Sequence, residues 1–376
     1  MSKKRNLKLF GKIILVTNCF FVSALLIAYL SPYISPEKVW MIAFFGLAYP
    51  LLLLVNIVFM LYWLARRRIL FLLSFLTIIA GWKSLSKHIQ FFPCNNSKKT
   101  ENTIKVLSYN VRNFDLYNYN KDWSLNLENR NKIFEFIKEN NADIICLQEI
   151  VYLSKGPFRT IDSIQKFQKA NQMALKYTTS RKGQYFGIIT FSRYPIINQG
   201  EVPFFSANFN SCIYSDIKVN NDTFRVYNVH LESIHLEPQD VHFAEEIGTR
   251  DNLKDKDIFK KRSKKIIKFL KKAFIKRAIQ ARSVRDHIVH SPYPVILCGD
   301  FNDTPLSYAY HTISDNLDDA FVESGFGLGK TYITTFPMLK IDFILHSKPL
   351  ESYGFHVSHV KYSDHYPIEC YLKKKE

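Results

Sequence analysis

The chain has 376 residues, with 51 Lys or Arg against 33 Asp or Glu, and 47% of it is hydrophobic. That composition excludes a disordered or low-complexity chain, and the length has room for two or three domains. Residues 1–100 hold 13 basic residues and a single acid, Glu37, so two thirds of the net +18 sits in an apolar N-terminal region. This excludes a wholly soluble cytosolic protein and weakens any inference from net charge to nucleic acid binding.

Met1–Lys12 is basic, with Lys3, Lys4, Arg5, Lys8 and Lys12. Ile13–Leu30 follows without a charge. Ser31–Lys38 is a break containing Pro32 and Pro36. Val39–Ala65 is again uncharged, Arg66–Arg68 interrupts, and Ile69–Trp82 is a third apolar run. A helix needs about 20 apolar residues to cross a hydrocarbon core of ~30 Å. The first two runs reach that, and Lys83 can snorkel so that the third continues to Leu85. The pattern predicts a membrane anchor over 1–91, with spans at about 13–30, 39–65 and 69–85. No small-x-small site follows the first run, which argues against a cleaved signal peptide. Basic residues before the first run and after the second place those ends in the cytoplasm. With three spans the rest of the chain lies outside it; with the third run lying in the interface, the rest stays inside. The expected setting is a bacterial inner membrane, multi-pass, with the remainder extracytoplasmic.

Residues 92–102 are polar and read as a linker. From Thr103 to the end, short β-rich runs alternate with helical ones. Strands are predicted at Ile104–Tyr109, Asp143–Leu147, Gly187–Phe191, Ser211–Val219, Phe224–His230, Val295–Cys298, Ile341–Leu345 and Pro367–Leu372. Helices are predicted at Glu128–Asn140, Asp162–Met173 and Phe259–Val289. Such alternation reads as one large α/β domain, in which sites collect at strand ends. Cys19, Cys146, Cys298 and Cys370 show no spacing of a disulfide framework or metal knuckle.

Six stretches each bring a polar group to an apolar run: Leu107-Ser-Tyr-Asn110, Ile144-Ile-Cys-Leu-Gln-Glu149, Val226-Tyr-Asn-Val-His230, Ile296-Leu-Cys-Gly-Asp300-Phe-Asn302, Lys340-Ile-Asp342-Phe-Ile and Ser363-Asp364-His365. Each alone has an ordinary structural explanation as a cap, a turn or a surface charge. Together and in this order they resemble the endonuclease/exonuclease/phosphatase superfamily of DNase I-like proteins, over about Thr103 to Leu372. Ser192-Arg-Tyr-Pro195 and Asp303-Thr-Pro305 resemble the bacterial members. The resemblance implies a four-layer α/β sandwich of two packed mixed β-sheets flanked by helices, and phosphoester hydrolysis with Mg²⁺ or Mn²⁺.

A phosphodiester is anionic and repels hydroxide, and a hard cation with oxygen ligands relieves that repulsion. By the resemblance, Glu149, Asn110 and Asp364 are metal ligands. Asp300 orients or deprotonates the attacking water, and Asn302 holds the water or a phosphate oxygen. His365 donates to a phosphoryl oxygen, Asp342 fixes its tautomer, and His230 is a second phosphate-facing histidine. Abasic-site endonucleases often carry an Asp two residues after the first Asn. Here Arg112 stands there, which argues against that branch and suggests a contact to substrate phosphate.

Arg250–His290 is rich in Lys and Arg, with apolar residues at helical spacing. It reads as an amphipathic helix with a solvated basic face, or as a surface for nucleic acid or anionic lipid. His235, Glu237, Asp240, His242, Glu245 and Glu246 read as a surface loop or a second metal site, and Gly325–Lys330 as a turn at the active-site rim. The expected activity is that of a membrane-anchored, nuclease-type phosphodiesterase. A lipid or small-molecule phosphodiesterase (sphingomyelinase-like or inositol-phosphate phosphatase-like) and an inactive scaffold of the same fold are the alternatives. The expected partners are a phosphodiester substrate, either nucleic acid or phospholipid, and the bilayer itself.

Overall fold

Leu9–Leu30 forms helix α1, and its apolar residues continue without a charge from Ile13 onward. The computed structural model describes residues 8–92, 103–168, 172–204, 210–234, 256–334 and 338–375. Among these, α1 is the one helix long and apolar enough to cross a membrane by itself. Where the sequence shows a single apolar run at 39–65, the chain forms two helices, α2 (Pro36–Leu47) and α3 (Tyr49–Ala65), bent by 51°. Pro50, in the first turn of α3, has no N–H to return to the preceding turn, so the helix breaks there. The third run is α4 (Phe71–Ala80) followed by α5 (Trp82–Ser86). Of the linker predicted at 92–102, all but Phe92 lies outside the described residues, as do His235 to Glu246.

The N-terminal helices are joined by buried polar groups. Asn18 Nδ2 donates to Ser74 Oγ at 2.7 Å, Ser74 Oγ to Asn56 Oδ1 at 3.1 Å, and Trp63 Nε1 to Asn18 Oδ1 at 3.0 Å. In apolar surroundings each amide left alone would be costly, so these bonds fix how α1, α3 and α4 meet.

From Ile104 the chain builds two six-stranded sheets. One runs in the order β13 (Leu350–Val357), β14 (Ile368–Lys374), β2 (Ile104–Asn110), β3 (Ile144–Leu153), β5 (Gln184–Ser192), β4 (Gln172–Arg181). The other runs β10 (Leu317–Asp319), β12 (Asp342–Ser347), β9 (Val295–Asp300), β8 (Asp222–His230), β7 (Ser211–Val219), β6 (Ile196–Val202). Each is mixed: β2 is parallel to β3 and β8 to β9, the other pairings being antiparallel. Apolar side chains of both sheets, among them Val106, Ile144, Val226, Ile296 and Ile368, fill the space between them. Helices α6 (Glu128–Asn140) and α7 (Thr160–Gln168) cover the first sheet. The long helix α8 (Lys256–Val289) and α9 (Tyr308–Ile313) cover the second, and α10 (Ala320–Ser324) closes one edge. This is the expected four-layer sandwich. The helix predicted over Asp162–Met173 ends by Gln168, and Gln172 and Met173 already belong to β4.

The two parts of the chain are packed together. β1 (Ile89–Gln90) pairs with β11 (Gly327–Leu328), so the predicted turn at Gly325–Lys330 is instead half of a ribbon held by the N-terminal region. The rings of Phe44 on α2 and Phe274 on α8 meet edge to face at 5.2 Å. Arg282 reaches Glu37 at 2.5 Å, and Lys271 lies over the Trp40 ring at 5.0 Å. Leu306, from the loop after β9, is buried among Leu25, Ala28, Tyr49, Leu53 and Leu85. A Cβ on Gly46 would lie 2.8 Å from the Leu306 carbonyl oxygen, so only glycine permits this close approach.

Candidate active site

The two parallel strand pairs end side by side. In register, Asn110 faces Gln148 across β2 and β3, His230 faces Asp300 across β8 and β9, and Asp342 faces Asp300 across β12 and β9. Asn110 Nδ2 crosses between the sheets, donating to Asp300 Oδ2 at 3.0 Å and Glu149 Oε1 at 3.2 Å. All nine residues named from the sequence meet in this one place.

Backbone irregularities aim several of them. The register of β3 against β5 shifts between Leu147 and Ile150, and Glu149 within that bulge has φ 50°. Asn302 has φ 51° and Arg112 φ 43°. Such conformations cost about 1–3 kcal/mol each in a non-glycine residue and persist where surrounding contacts enforce them. Gly299 is required for a different reason: a Cβ there would lie 2.0 Å from the carbonyl oxygen of Val229 on the neighbouring strand.

Asp300 is the centre. It is 0% exposed and accepts from the backbone N–H of Asn302 at 2.7 Å and from Asn302 Nδ2 at 3.2 Å. His365 Nε2 stands 3.7 Å away, and so does His230 Nε2. Burial above all pushes the Asp300 carboxyl up to about 6, with His365 acting in the opposite direction. His365 Nδ1 is bonded to Asp342 at 3.0 Å. Burial disfavours its charged form, but Asp342 and Asp300 outweigh that and raise it well above the ordinary histidine value, so the ring is an imidazolium. The Tyr332 ring packs on its edge at 5.0 Å.

Glu149 and Asp364 are the open side of the site, each side chain being 31% exposed. Arg112 Nε lies 3.5 Å from Asp364 and His230 Nε2 3.5 Å from Glu149. Four carboxylates, Glu149, Asp300, Asp342 and Asp364, thus share the site with the Arg112 guanidinium and the His365 imidazolium. The two negative charges left over, on hard oxygen donors at the mouth, match a divalent cation. Asp300, Asp342 and His365 also form a cluster of ligand atoms within 4.8 Å of one another. In that cluster, however, the Asp342–His365 bond already occupies one ligand pair.

Several supporting residues are not among the nine named from the sequence. Arg277 on α8, 1% exposed on its side chain, donates from Nη1 to the carbonyl of Asn302 and brings Nε to 3.1 Å from Asp303. Thr331 Oγ1 accepts from the N–H groups of Ile341 and Asp342 at 3.0 and 3.1 Å. Ser363 Oγ donates to the carbonyl of Asn110 at 2.8 Å. Behind the site, Gln148 Nε2 donates to Asn228 Oδ1 at 2.7 Å, and Asn228 Nδ2 to the carbonyl of Ile189 at 2.9 Å. The polar residues beside Glu149 and His230 in their motifs therefore join the two sheets. Asn228→Leu should take from Gln148 Nε2 its shortest acceptor, leaving the longer contacts to the Cys146 carbonyl and Ser108 Oγ, and take the amide donor from the Leu147 and Ile189 carbonyls, at a cost of about 1–3 kcal/mol. Urea unfolding checks this, and an unchanged midpoint would show the amide pair to be dispensable.

A two-sheet sandwich with carboxylates, amides and histidines gathered at adjoining strand ends defines a phosphoester hydrolase fold. The chain belongs to the endonuclease/exonuclease/phosphatase family, whose model matches residues 107–259 and 272–365. Residues 11–88 match a domain of unknown function. No curated protein matches the chain. Among solved structures, an endonuclease/exonuclease/phosphatase from Bacteroides vulgatus is similar at 18% identity and a TM-score of 0.51, covering 74% of this chain and 100% of that one. One from Beutenbergia cavernae has 16% identity, a TM-score of 0.50 and coverage of 73% and 72%. A family protein from Bacteroides thetaiotaomicron has 16% identity, a TM-score of 0.50 and coverage of 74% and 100%. At these identities the likeness bears on the fold. Members of the superfamily hydrolyse phosphoester bonds and generally depend on a divalent metal.

Proposed function

We propose that this chain is a divalent-metal-dependent phosphodiesterase, with residues 1–91 as a membrane anchor and 103–376 as the catalytic part. The observation that carries the reading is Asp300, a buried carboxylate at hydrogen-bond distance from Asn302 and with His365 and His230 both 3.7 Å away. Glu149, Asn110 and Asp364 would hold the metal, Mg²⁺ or Mn²⁺, which supplies charge neutralisation at a phosphate oxygen. Asp300 takes the proton of the attacking water, and Asn302 Nδ2 orients that water. The His365 imidazolium, held by Asp342, donates to the phosphoryl oxygen as charge develops. His230 faces the same space and serves the leaving oxygen, and Arg112 meets the phosphate at the mouth.

The helix directions support one sidedness. Lys8 and Lys12 sit at the start of α1 and Arg66–Arg68 after α3, whereas the catalytic part meets the helices around Ser31–Tyr49 and Leu85. By the positive-inside rule the catalytic part is extracytoplasmic. Nuclease-type hydrolysis of nucleic acid is the first reading of the substrate. A lipid or small phosphoester at the bilayer is favoured by one observation, the burial of Leu306, just past Asn302, in the helical bundle.

The test uses the full chain in lipid nanodiscs, offered plasmid DNA and phospholipid vesicles with Mg²⁺ or with chelator. Metal-dependent strand scission supports the first reading and headgroup release the second. No hydrolysis of either, together with no Mg²⁺ or Mn²⁺ binding, supports an inactive scaffold. The pH profile is a further prediction. Asp300 acts as base only when ionised, and its pKa is raised to about 6. kcat/KM should therefore climb with pH through an acid limb near 6 and be lost below it. A profile flat down to the ordinary carboxylate range would remove Asp300 from that role.

A further inference from the structure

From Ile258 to Arg285 the chain has twelve basic residues and no acid. Three towards its C-terminal end have structural work: Lys276 pairs with Glu232 at 2.7 Å, Arg277 with Asp303, and Arg282 with Glu37. The N-terminal half of α8 is different. Lys260, Lys261, Lys264, Lys268 and Lys272 are all exposed and recur at helical spacing along one face. Ile267 lies within that row and is 44% exposed. Among the described residues, no ion pair engages any of the five.

Two further observations give the row a direction. First, residues 260–271 fall between the two parts of the chain that match the family model, so four of the five lysines lie outside the matched residues. Second, the row is continuous with the contact between α8 and the apolar helices. Lys271 lies over Trp40 and Phe274 meets Phe44, both at the end of the bundle that carries the catalytic part. A row of lysines interrupted by one apolar residue, beginning where apolar helices end, has the composition of a surface that meets headgroups.

We propose that Lys260, Lys261, Lys264, Lys268 and Lys272 form a docking surface for the anionic lipid headgroups of the bilayer that holds α1, α3 and α4. This rests on the membrane reading given above. The row adds an electrostatic hold to the apolar anchor and makes the enzyme sensitive to the anionic lipid content around it. Nucleic acid is the less favoured occupant, because the row adjoins the bundle and α8 has few aromatic residues for base stacking.

The experiment measures how fast each lysine of the full chain is acylated by an amine-reactive reagent, read by mass spectrometry. The chain is placed in phosphatidylcholine nanodiscs with or without phosphatidylglycerol. Anionic lipid should slow labelling of the five lysines about five-fold, the factor that ~1 kcal/mol per lysine at a charged surface implies. Raised salt should reverse it. Lys155 and Lys182, exposed elsewhere on the catalytic part, should not change. Replacing the five lysines by Gln should abolish the preference for phosphatidylglycerol among co-purified lipids. Equal labelling with and without anionic lipid overturns the proposal, and so does protection by duplex DNA in neutral nanodiscs. A chain that fails to enter nanodiscs of either composition instead overturns the membrane reading on which the proposal stands.

Discussion

Asp300→Asn is expected to lower kcat by about 10²- to 10⁴-fold, the range over which a positioned base contributes. The replacement keeps size and shape. Its carbonyl oxygen can still accept from the Asn302 N–H, which Asp300 accepts now at 2.7 Å. What is lost is the acceptor for the water's proton, and the new amide would face the Asn110 amide donor, now 3.0 Å from the Asp300 carboxylate. Stability should move little, and the sign can be followed. A carboxyl raised to about 6 in the folded protein holds its proton more tightly there than in the unfolded chain, so stability declines as pH rises from the ordinary aspartate range to 6. Asn removes that decline, while weakening the attraction to His365 at 3.7 Å. Steady-state kinetics beside a thermal melt separates the two effects. A variant retaining kcat within a factor of a few would show that another group activates the water.

Arg277→Ala should damage both stability and turnover. The guanidinium is buried, as is Asp303, and removing one member of such a pair costs about 3–5 kcal/mol because the remaining charge is stranded. The same guanidinium holds the carbonyl of Asn302, whose φ is 51°. Released, Asn302 and the water it orients drift from Asp300. A misplacement of about 1 Å in such an arrangement can cost about 10²-fold in rate. kcat should fall more than KM changes, since Arg277 bonds Asn302 and Asp303 and no bond joins it to Glu149 or Asp364 at the mouth. Arg277→Lys should restore much of the melting temperature and little of kcat, because one ammonium cannot reach both Asp303 and the Asn302 carbonyl. A wild-type rate in the Lys variant would reduce Arg277 to a structural ion pair.

The chemistry of the site was legible where a polar residue followed or interrupted an apolar strand. Asn110, His230 and Asp300 each end a buried, largely apolar strand, so the pattern located the strand end and the polar residue together. Arg277 was not legible, because in a helix dense with Lys and Arg nothing marks the one guanidinium that turns inward. Strands β4 and β6 were missed for a related reason: both are outermost in their sheets, with many half-buried or exposed positions, so their apolar signal is diluted. The break between α2 and α3 was hidden by composition. Hydropathy sees 27 uncharged residues, and only Pro50, read as a helix start, indicates two helices. The contacts between the N-terminal helices and the sandwich could not be read at all, because they join residues hundreds of positions apart.

The ribbon of β1 and β11, the Phe44–Phe274 contact and Leu306 fasten the catalytic part to the bundle at three places. An enzyme on a loose tether sweeps a hemisphere whose radius is the tether length and collects what lies within it. Fastened at three points, this one has no sweep. Its catalytic strand ends keep a fixed height and attitude over the helices, and encounters depend on the mobility of the substrate alone. A longer sequence between Gln90 and Thr103 would therefore not widen its reach, whereas loosening Leu306 or the ribbon would.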